Sequence, residues 1–458
     1  MTYWKQHYKK ILFVVCFISS LVAGTRSFGV YTQKAGELDS TFSQRKNLSI
    51  STVLQVDSDV TRSMSKIVFF AHDQNQRYKV TAPPNMEVEF LDCVFISGKI
   101  SLPEIKSFDK KEIETVYQFP YKQYLAKDDV YVLMQIKEWE KVRECTEVSK
   151  YELIQKWFIG LKNKLTEIFL TEYEHPYAGL VAGVLVAGKG LMDSDTLEIF
   201  KRTSLSHVVV LSGSNVSLIL ICIKLLVDRL FFWKWIKKII VLLAVWAFVL
   251  LTGGGAPIYR AAASAFCGMV LFDNKTSQIY ALTVVIFILT IINPFQTFFD
   301  PSFHLTCCAT YGLILFSKPI ETKIRLSVFR SISKSLREII SVTLATQVFV
   351  FPYILAMTGS FSSVFLLSNV LVLPMIPFIM LFGFVTMVGG LMGMGWLVSL
   401  SVFINNFILK SVFWIVGKLA AVPYGYVQIG KGWSVGVLIA YFLLLFSIFI
   451  KSKKKQTT

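Results

Sequence analysis

The sequence predicts a polytopic α-helical membrane protein with a small extracytoplasmic β domain, and three observations predict it. Hydrophobic residues make up 54% of the 458, and the mean hydropathy is +0.56. Charged residues are 17% of the chain, against about 25% in an ordinary soluble domain. Their distribution is lopsided: from Lys201 onward the acids are Asp228, Asp273, Asp300, Glu321 and Glu338, scattered among long apolar runs. This pattern excludes a soluble enzyme.

The net charge of +17 invites a nucleic-acid reading, but its location argues otherwise. Between Gln44 and Lys150 bases and acids balance at sixteen each. The excess lies beside apolar runs: at Lys5 to Lys10, Arg229 to Lys238, Lys318 to Arg337 and Lys451 to Lys455. Basic flanks of this kind stay on the cytoplasmic side of a membrane, so the charge reports topology before it reports a ligand.

Five segments follow from composition. Residues 1–43 form an N-terminal membrane anchor and linker. Within them Ile11 to Val30 is apolar behind a basic start, and reads as either a cleavable signal peptide or a retained signal anchor; the membrane character downstream favours the anchor. Residues 44–150 are mixed polar, and five stretches read as strands: Ser49–Val56, Ile67–Ala71, Arg77–Thr81, Glu87–Ile100 and Val130–Lys137. Five strands in so short a region suit a small barrel such as an OB-fold, and other small β domains fit the same pattern.

Residues 151–176 place Leu153, Trp157, Leu161, Leu165, Ile168 and Phe169 on one helical face, with Lys156, Lys162 and Lys164 off it. Such a helix either lies on the membrane surface or packs on the β domain. Residues 177–450 hold the membrane spans, and 451–458 are a basic cytoplasmic tail. Several of the apolar runs are shorter than the ~20 residues a lone crossing needs. Short runs broken by Gly and Pro are tolerated where protein or a water-filled cavity surrounds them; the Gly- and Ala-rich Tyr177–Gly188 is one.

A charged side chain at the centre of a membrane helix costs about 2.5–3.5 kcal/mol on insertion scales, so the polar residues inside apolar runs are the candidate functional groups. His207, Ser212, Gly213 and Asn215 open one span, and Arg260 follows a run of three glycines. Asp300 and His304 begin another segment, while Gln347 and Asn369 lie deep in apolar sequence. Each has a local explanation: capping for Ser212 and Asp300, helix–helix hydrogen bonding for Gln347 and Asn369, snorkelling for Arg260. Together they point to a polar cavity or conduit.

The five histidines form no short cluster with Asp or Cys of the kind a zinc site needs. There is no Walker-type phosphate loop, and Ser214 lacks the second glycine of a hydrolase elbow. The expectation is therefore no catalytic residue, no metal and no cofactor in this chain, with neither nuclease nor ATPase activity of its own.

Four stretches resemble the ComEC family of competence proteins. They are His207-Val-Val-Val-Leu-Ser-Gly-Ser-Asn-Val216, Leu251-Thr-Gly-Gly-Gly-Ala-Pro-Ile-Tyr-Arg-Ala261, Asn293-Pro294 followed by Asp300 and Ser302-Phe-His-Leu-Thr306, and Phe119-Pro-Tyr-Lys-Gln-Tyr-Leu-Ala126. Asn215 stands where many members have His, and His304 where Gln is usual. The resemblance runs from about Ser49 to Met380, and the order of the motifs is more specific than any one of them. It implies a channel in the cytoplasmic membrane that passes single-stranded transforming DNA, with the OB-like domain outside, in a form without the metallo-β-lactamase-like nuclease domain of many relatives.

The partners so implied are single-stranded DNA, the lipid bilayer, a separate nuclease, a DNA receptor and a cytoplasmic motor. Tyr121 and Tyr124 offer base-stacking surfaces, and serve equally well as barrel packing. An integral membrane enzyme or small-solute transporter on the same fold is the alternative. Cys93 and Cys145 are the two cysteines of the exported segment, where an oxidising compartment permits a disulfide.

Parity of the spans places the N-terminus, Arg229–Lys238, Lys318–Arg337 and the tail inside and residues 44–150 outside, provided that Val364–Met394, which contains Pro374 and Pro377, crosses once. Cysteine labelling in intact cells tests this. A probe confined to the outside is expected to miss Lys323→Cys and to reach it only after permeabilisation.

Overall fold

The computed structural model describes residues 49–63, 66–73, 76–103, 120–142, 149–186, 191–209, 215, 227–229, 233–253, 286–326, 333–429 and 437. The described part begins with a β domain of six strands: β1 (Ser49–Val56), β2 (Thr61–Ser63), β3 (Lys66–His72), β4 (Arg77–Ala82), β5 (Cys93–Ser101) and β6 (Val130–Val142). Burial alternates residue by residue along β3 and β4, as it must where one face of a strand is packed and the other is wet. Leu54, Ile67, Phe69, Tyr78, Ile96 and Met134 meet in the core.

The strands pair in the order β1-β5-β6-β4-β3-β2, and the end of β1 also pairs with β3. The pairings therefore return to their first strand. β4 and β6 run parallel and the other neighbours antiparallel. At the bulge between Ser97 and Gly98 the β6 backbone comes so close that a Cβ on Gly98 would run into the carbonyl of Gln135, so the bend requires glycine.

The strand expected over Glu87–Ile100 begins only at Cys93. Leu91 adopts φ 70°, and the Asp92 carboxylate accepts a hydrogen bond from the Glu89 amide at 2.8 Å. A local turn thereby outcompetes pairing. Between β5 and β6 sits the short helix α1 (Tyr121–Ala126).

Helix α2 (Lys150–Glu172) starts at a capping box, in which Ser149 and Glu152 satisfy each other's backbone amides. Its apolar face divides. Tyr151, Leu153, Ile154 and Trp157 are exposed, whereas Leu165 and Phe169 enter the core of the helical domain. Lys162, on the side expected to be solvated, is buried and ion-paired with Asp59 of the β domain.

The helical domain continues with α3 (Tyr177–Val186), α4 (Ser194–Arg202), α5 (Ser206–Val209), α6 (Lys234–Leu251), α7 (Pro294–Phe299), α8 (Pro301–Leu326), α9 (Lys334–Thr358), α10 (Phe365–Val372), α11 (Ile376–Leu391) and α12 (Gly395–Ala420). Every residue of α3 from Ala178 to Val186 is buried, so this short apolar helix is enclosed by protein. Three segments among the described residues are long and apolar enough to cross a membrane: Lys334–Thr358, Phe365–Leu391 and Gly395–Ala420. The middle one passes Pro374 in a 3₁₀ turn and carries Pro377 in the first turn of α11. The prolines thus stand where a missing amide proton costs least, and the apolar run continues as one 27-residue segment.

The spans bury few of their own side chains. Phe403 and Phe407 on α12 are 76% and 77% exposed, an arrangement suited to lipid and hostile to water. Polar side chains inside the bundle hydrogen-bond one another instead. The Tyr173 hydroxyl lies 2.8 Å from Thr386 Oγ1 and receives the Asn405 amide at 3.0 Å, and Thr386 meets Ser401 at 2.8 Å. This network joins the end of α2 to α11 and α12. A two-stranded sheet, β7 (Ser360–Ser362) with β8 (Tyr426–Gln428), links the end of α9 to the chain beyond α12. These features fit a polytopic helical membrane protein.

Helices α8 and α9 touch closely at Gly312, where a Cβ would overlap the Ala345 carbonyl. Gly312→Ala is expected to destabilise the domain by about 1–3 kcal/mol through overpacking and to lower membrane abundance. Gly160→Ala, with open space around its Cβ, is expected to leave abundance unchanged in the same immunoblot.

Candidate functional site: a polar cavity between two domains

A cavity of about 2410 Å³ lies where the β domain, α2 and the helical domain meet. Its walls differ in chemistry. The β domain and α2 contribute charged side chains, including Asp59, Arg62, Lys79, Lys127, Lys156 and Lys164. The helical domain contributes mainly hydroxyls and amides. Ser302, Thr306 and Thr310 line the cavity from α8, and a spacing of four puts them on one face. Thr306 and Thr310 donate to the carbonyls one turn back, at 2.9 and 2.8 Å, which keeps their protons satisfied inside an apolar helix. Thr343, Thr346 and Gln347 line it from α9. The four-residue spacing on α8 was available in the sequence as a signal; the facing wall on α9 was not, because it depends on how the two helices dock.

Five of the sequence candidates share this cavity: Tyr124, His207, Asp300, Gln347 and Asn369. Three others are placed elsewhere. Asn215 is buried, with its amide 3.4 Å from the Val184 carbonyl of α3. His304 bridges, with one ring nitrogen 2.8 Å from the Tyr353 hydroxyl and the other 2.9 Å from the Thr297 carbonyl. Tyr121 stacks on Tyr124 at 6.4 Å and its hydroxyl accepts from Lys79 Nζ at 3.1 Å. Ser212, Gly213, Arg260 and Cys145 lie outside the described residues.

His207 is exposed, and the space before it is the cavity. Asn369 is 5% exposed, and its Oδ1 has no hydrogen-bond partner among the described residues. A buried acceptor left in this state costs free energy unless something in the cavity supplies a donor.

Asp300 has a partner that sequence reasoning did not find. Its carboxylate lies 3.3 Å from Lys127 Nζ, with the two side chains 3% and 13% exposed. Its second oxygen accepts from the Ser302 amide at 2.9 Å, the capping role anticipated for it. Lys127 Nζ also sits 4.1 Å from the centre of the Tyr124 ring, a cation–π distance. Asn293 caps α7 with its side-chain oxygen and donates its amide to the Lys127 carbonyl at 2.6 Å. One residue of the β domain is thus held at both ends by the helical domain.

Burial acts to lower the Lys127 pKa, but Tyr124, Asp300 and Asp128 outweigh it, so the ammonium titrates above its ordinary value. The neighbouring Asp128 titrates above the ordinary carboxylate range because burial outweighs Lys127 and Arg77. Among the described residues no group of three His, Cys, Asp or Glu side chains is placed to hold a metal.

The fold and the cavity together define a helical membrane protein with a cavity walled jointly by its bundle and a β domain. The competence protein family profile matches residues 184–454, more than half of the chain, and the chain belongs to that family. It is 23% identical over 271 residues to ComE operon protein 3 of Bacillus subtilis (strain 168), a stretch that covers 58% of this chain and 32% of that protein. The chain therefore spans about a third of the length of that curated relative. No solved structure matches. The family match begins after the β domain, which is known here from its own strands alone.

Cys93 is disulfide-bonded. It pairs in register with Val142 at the end of β6, three residues before Cys145 in sequence, and we propose Cys145 as its partner. Mass mapping of non-reduced peptides is expected to recover the two cysteines in one cross-linked species.

Proposed function

We propose that this chain carries single-stranded transforming DNA across the cytoplasmic membrane, with the β domain on the outer side. The observation that carries the reading is the cavity: residues of three family-like motifs, Tyr124, His207 and Asp300, face one polar space. Its volume supports a polymer over a small solute, since sites for single small ligands hold roughly 300–1,000 Å³. The alternative of a membrane enzyme or small-solute transporter has no comparable support.

The strand order supports an OB-like reading of the β domain, a closed path of five strands with one parallel pair. Tyr121 and Tyr124, stacked beside Lys79 and Lys127, supply the aromatic and cationic groups that single strands favour. Bases outnumber acids among the charged lining residues, so a polyanion meets a mildly attractive vestibule. A hydroxyl wall beyond it hydrogen-bonds phosphates weakly at many points, which allows passage without trapping. In this reading the exposed half of α2 rests on the bilayer.

Deleting the gene in the native host and supplying end-labelled duplex DNA tests the proposal. Transformants are expected to fall by several orders of magnitude while surface-bound label persists, and complementation is expected to restore them. Undiminished transformation in the deletion strain would overturn the reading.

A further inference from the structure

The cavity wall holds one asymmetry that the docking contacts create. Among the described residues, Asp300 is the one carboxylate that the helices after α2 contribute to the lining. It stands at the boundary between the charged walls and the hydroxyl wall, two residues before Ser302. An ionised carboxylate there repels phosphate: at a separation of about 6 Å and an effective dielectric of about 20, two unit charges interact by roughly 3 kcal/mol, or about a hundredfold in occupancy. In the structure that charge is compensated, because Lys127 reaches across from the β domain and pairs with it.

We propose that Lys127 is a specificity-determining residue: by neutralising Asp300, the docked β domain makes the inner part of the cavity passable to a polyanion. The proposal rests on the DNA-uptake reading. Its geometry does not depend on that reading. Lys127 is gripped through its carbonyl by Asn293 and through its ammonium by Asp300, and Tyr124 limits its swing from the side. The second interdomain ion pair, Lys162 with Asp59, is made on α2 and the β domain, so docking does not hang on Lys127 alone. The role is therefore separable from simple attachment.

The two roles predict different patterns. If Lys127 and Asp300 only fasten the domains together, removing either partner breaks the same link and harms equally. If Lys127 masks a repulsive charge, removing the mask harms more than removing the charge, and removing both restores what the first loses. Asn at position 300 also keeps the oxygen that caps the Ser302 amide.

The experiment compares Lys127→Gln, Lys127→Arg, Asp300→Asn and the double variant Lys127→Gln/Asp300→Asn for transformation frequency at matched membrane abundance. Lys127→Gln is expected to lose roughly ten- to a hundredfold. Lys127→Arg is expected to stay within about threefold of wild type, Asp300→Asn to lose clearly less than Lys127→Gln, and the double variant to recover most of the Lys127→Gln loss. A loss in Asp300→Asn as large as in Lys127→Gln, or no recovery in the double variant, would overturn the proposal. Should Lys127→Gln fail to accumulate, the double variant decides, since it leaves neither a buried unpaired carboxylate nor a buried unpaired ammonium; a large loss in it overturns the proposal. Failure of the uptake reading is separately visible, because it leaves even the deletion strain transformable.

Discussion

The contact between Lys127 and Asp300 joins the β domain to the helical domain at the wall of the cavity. A buried ion pair is expensive to desolvate and contributes little net stability by itself, so its value lies in what it requires of its surroundings. Here the ammonium can reach the carboxylate only if α1 sits against α7, and α7 takes its position from the Asn293 cap. The same residues fix the turn that launches α8, whose hydroxyl face then forms a wall of the cavity. Orientation of the β domain, start of the helix and composition of the lining meet at this charge pair.

Much of this was legible in the amino-acid sequence. The alternation in β3 and β4 and the length of the apolar runs arise from local periodicity, and local periodicity is what a single chain displays. Asp300 stood out because a carboxylate near apolar helices is costly. What the sequence could not display was its partner, 173 residues away at Lys127. Lys127 looks like any surface lysine after a short helix. Lys162 misled for a related reason: its helical position is on the polar face, and only the approach of Asp59 buries it. Asn405, placed in the hydrogen-bond network with Tyr173, drew no attention among apolar neighbours. The pairing of β7 with β8 was invisible because three-residue strands carry no periodic signal.

The polar groups of the helical domain divide into two populations that composition does not separate. One set is consumed internally: Thr386, Ser401 and Asn405 hydrogen-bond across helices, and His304 spends both ring nitrogens on Tyr353 and Thr297. The other set, including Gln347 and Asn369, faces the cavity. Whether an intramembrane polar residue is structural or functional thus depends on which neighbour it meets, not on its type.

The small sheet of β7 and β8 has a mechanical consequence. The Ile429 amide donates to the Gly359 carbonyl at 2.6 Å and the Ser363 amide to Gly425 at 2.9 Å, while the Tyr426 hydroxyl reaches Ser360 at 2.8 Å. These bonds clasp the two ends of a 71-residue stretch, 359–429, that includes α10, α11 and α12. A stretch clasped at its base is a loop with a fixed perimeter: α12 cannot slip along its axis by a helical turn, about 5.4 Å, without breaking the clasp. Because Phe361 and Ser362 also face the cavity, the clasp holds this part of its wall to a fixed perimeter.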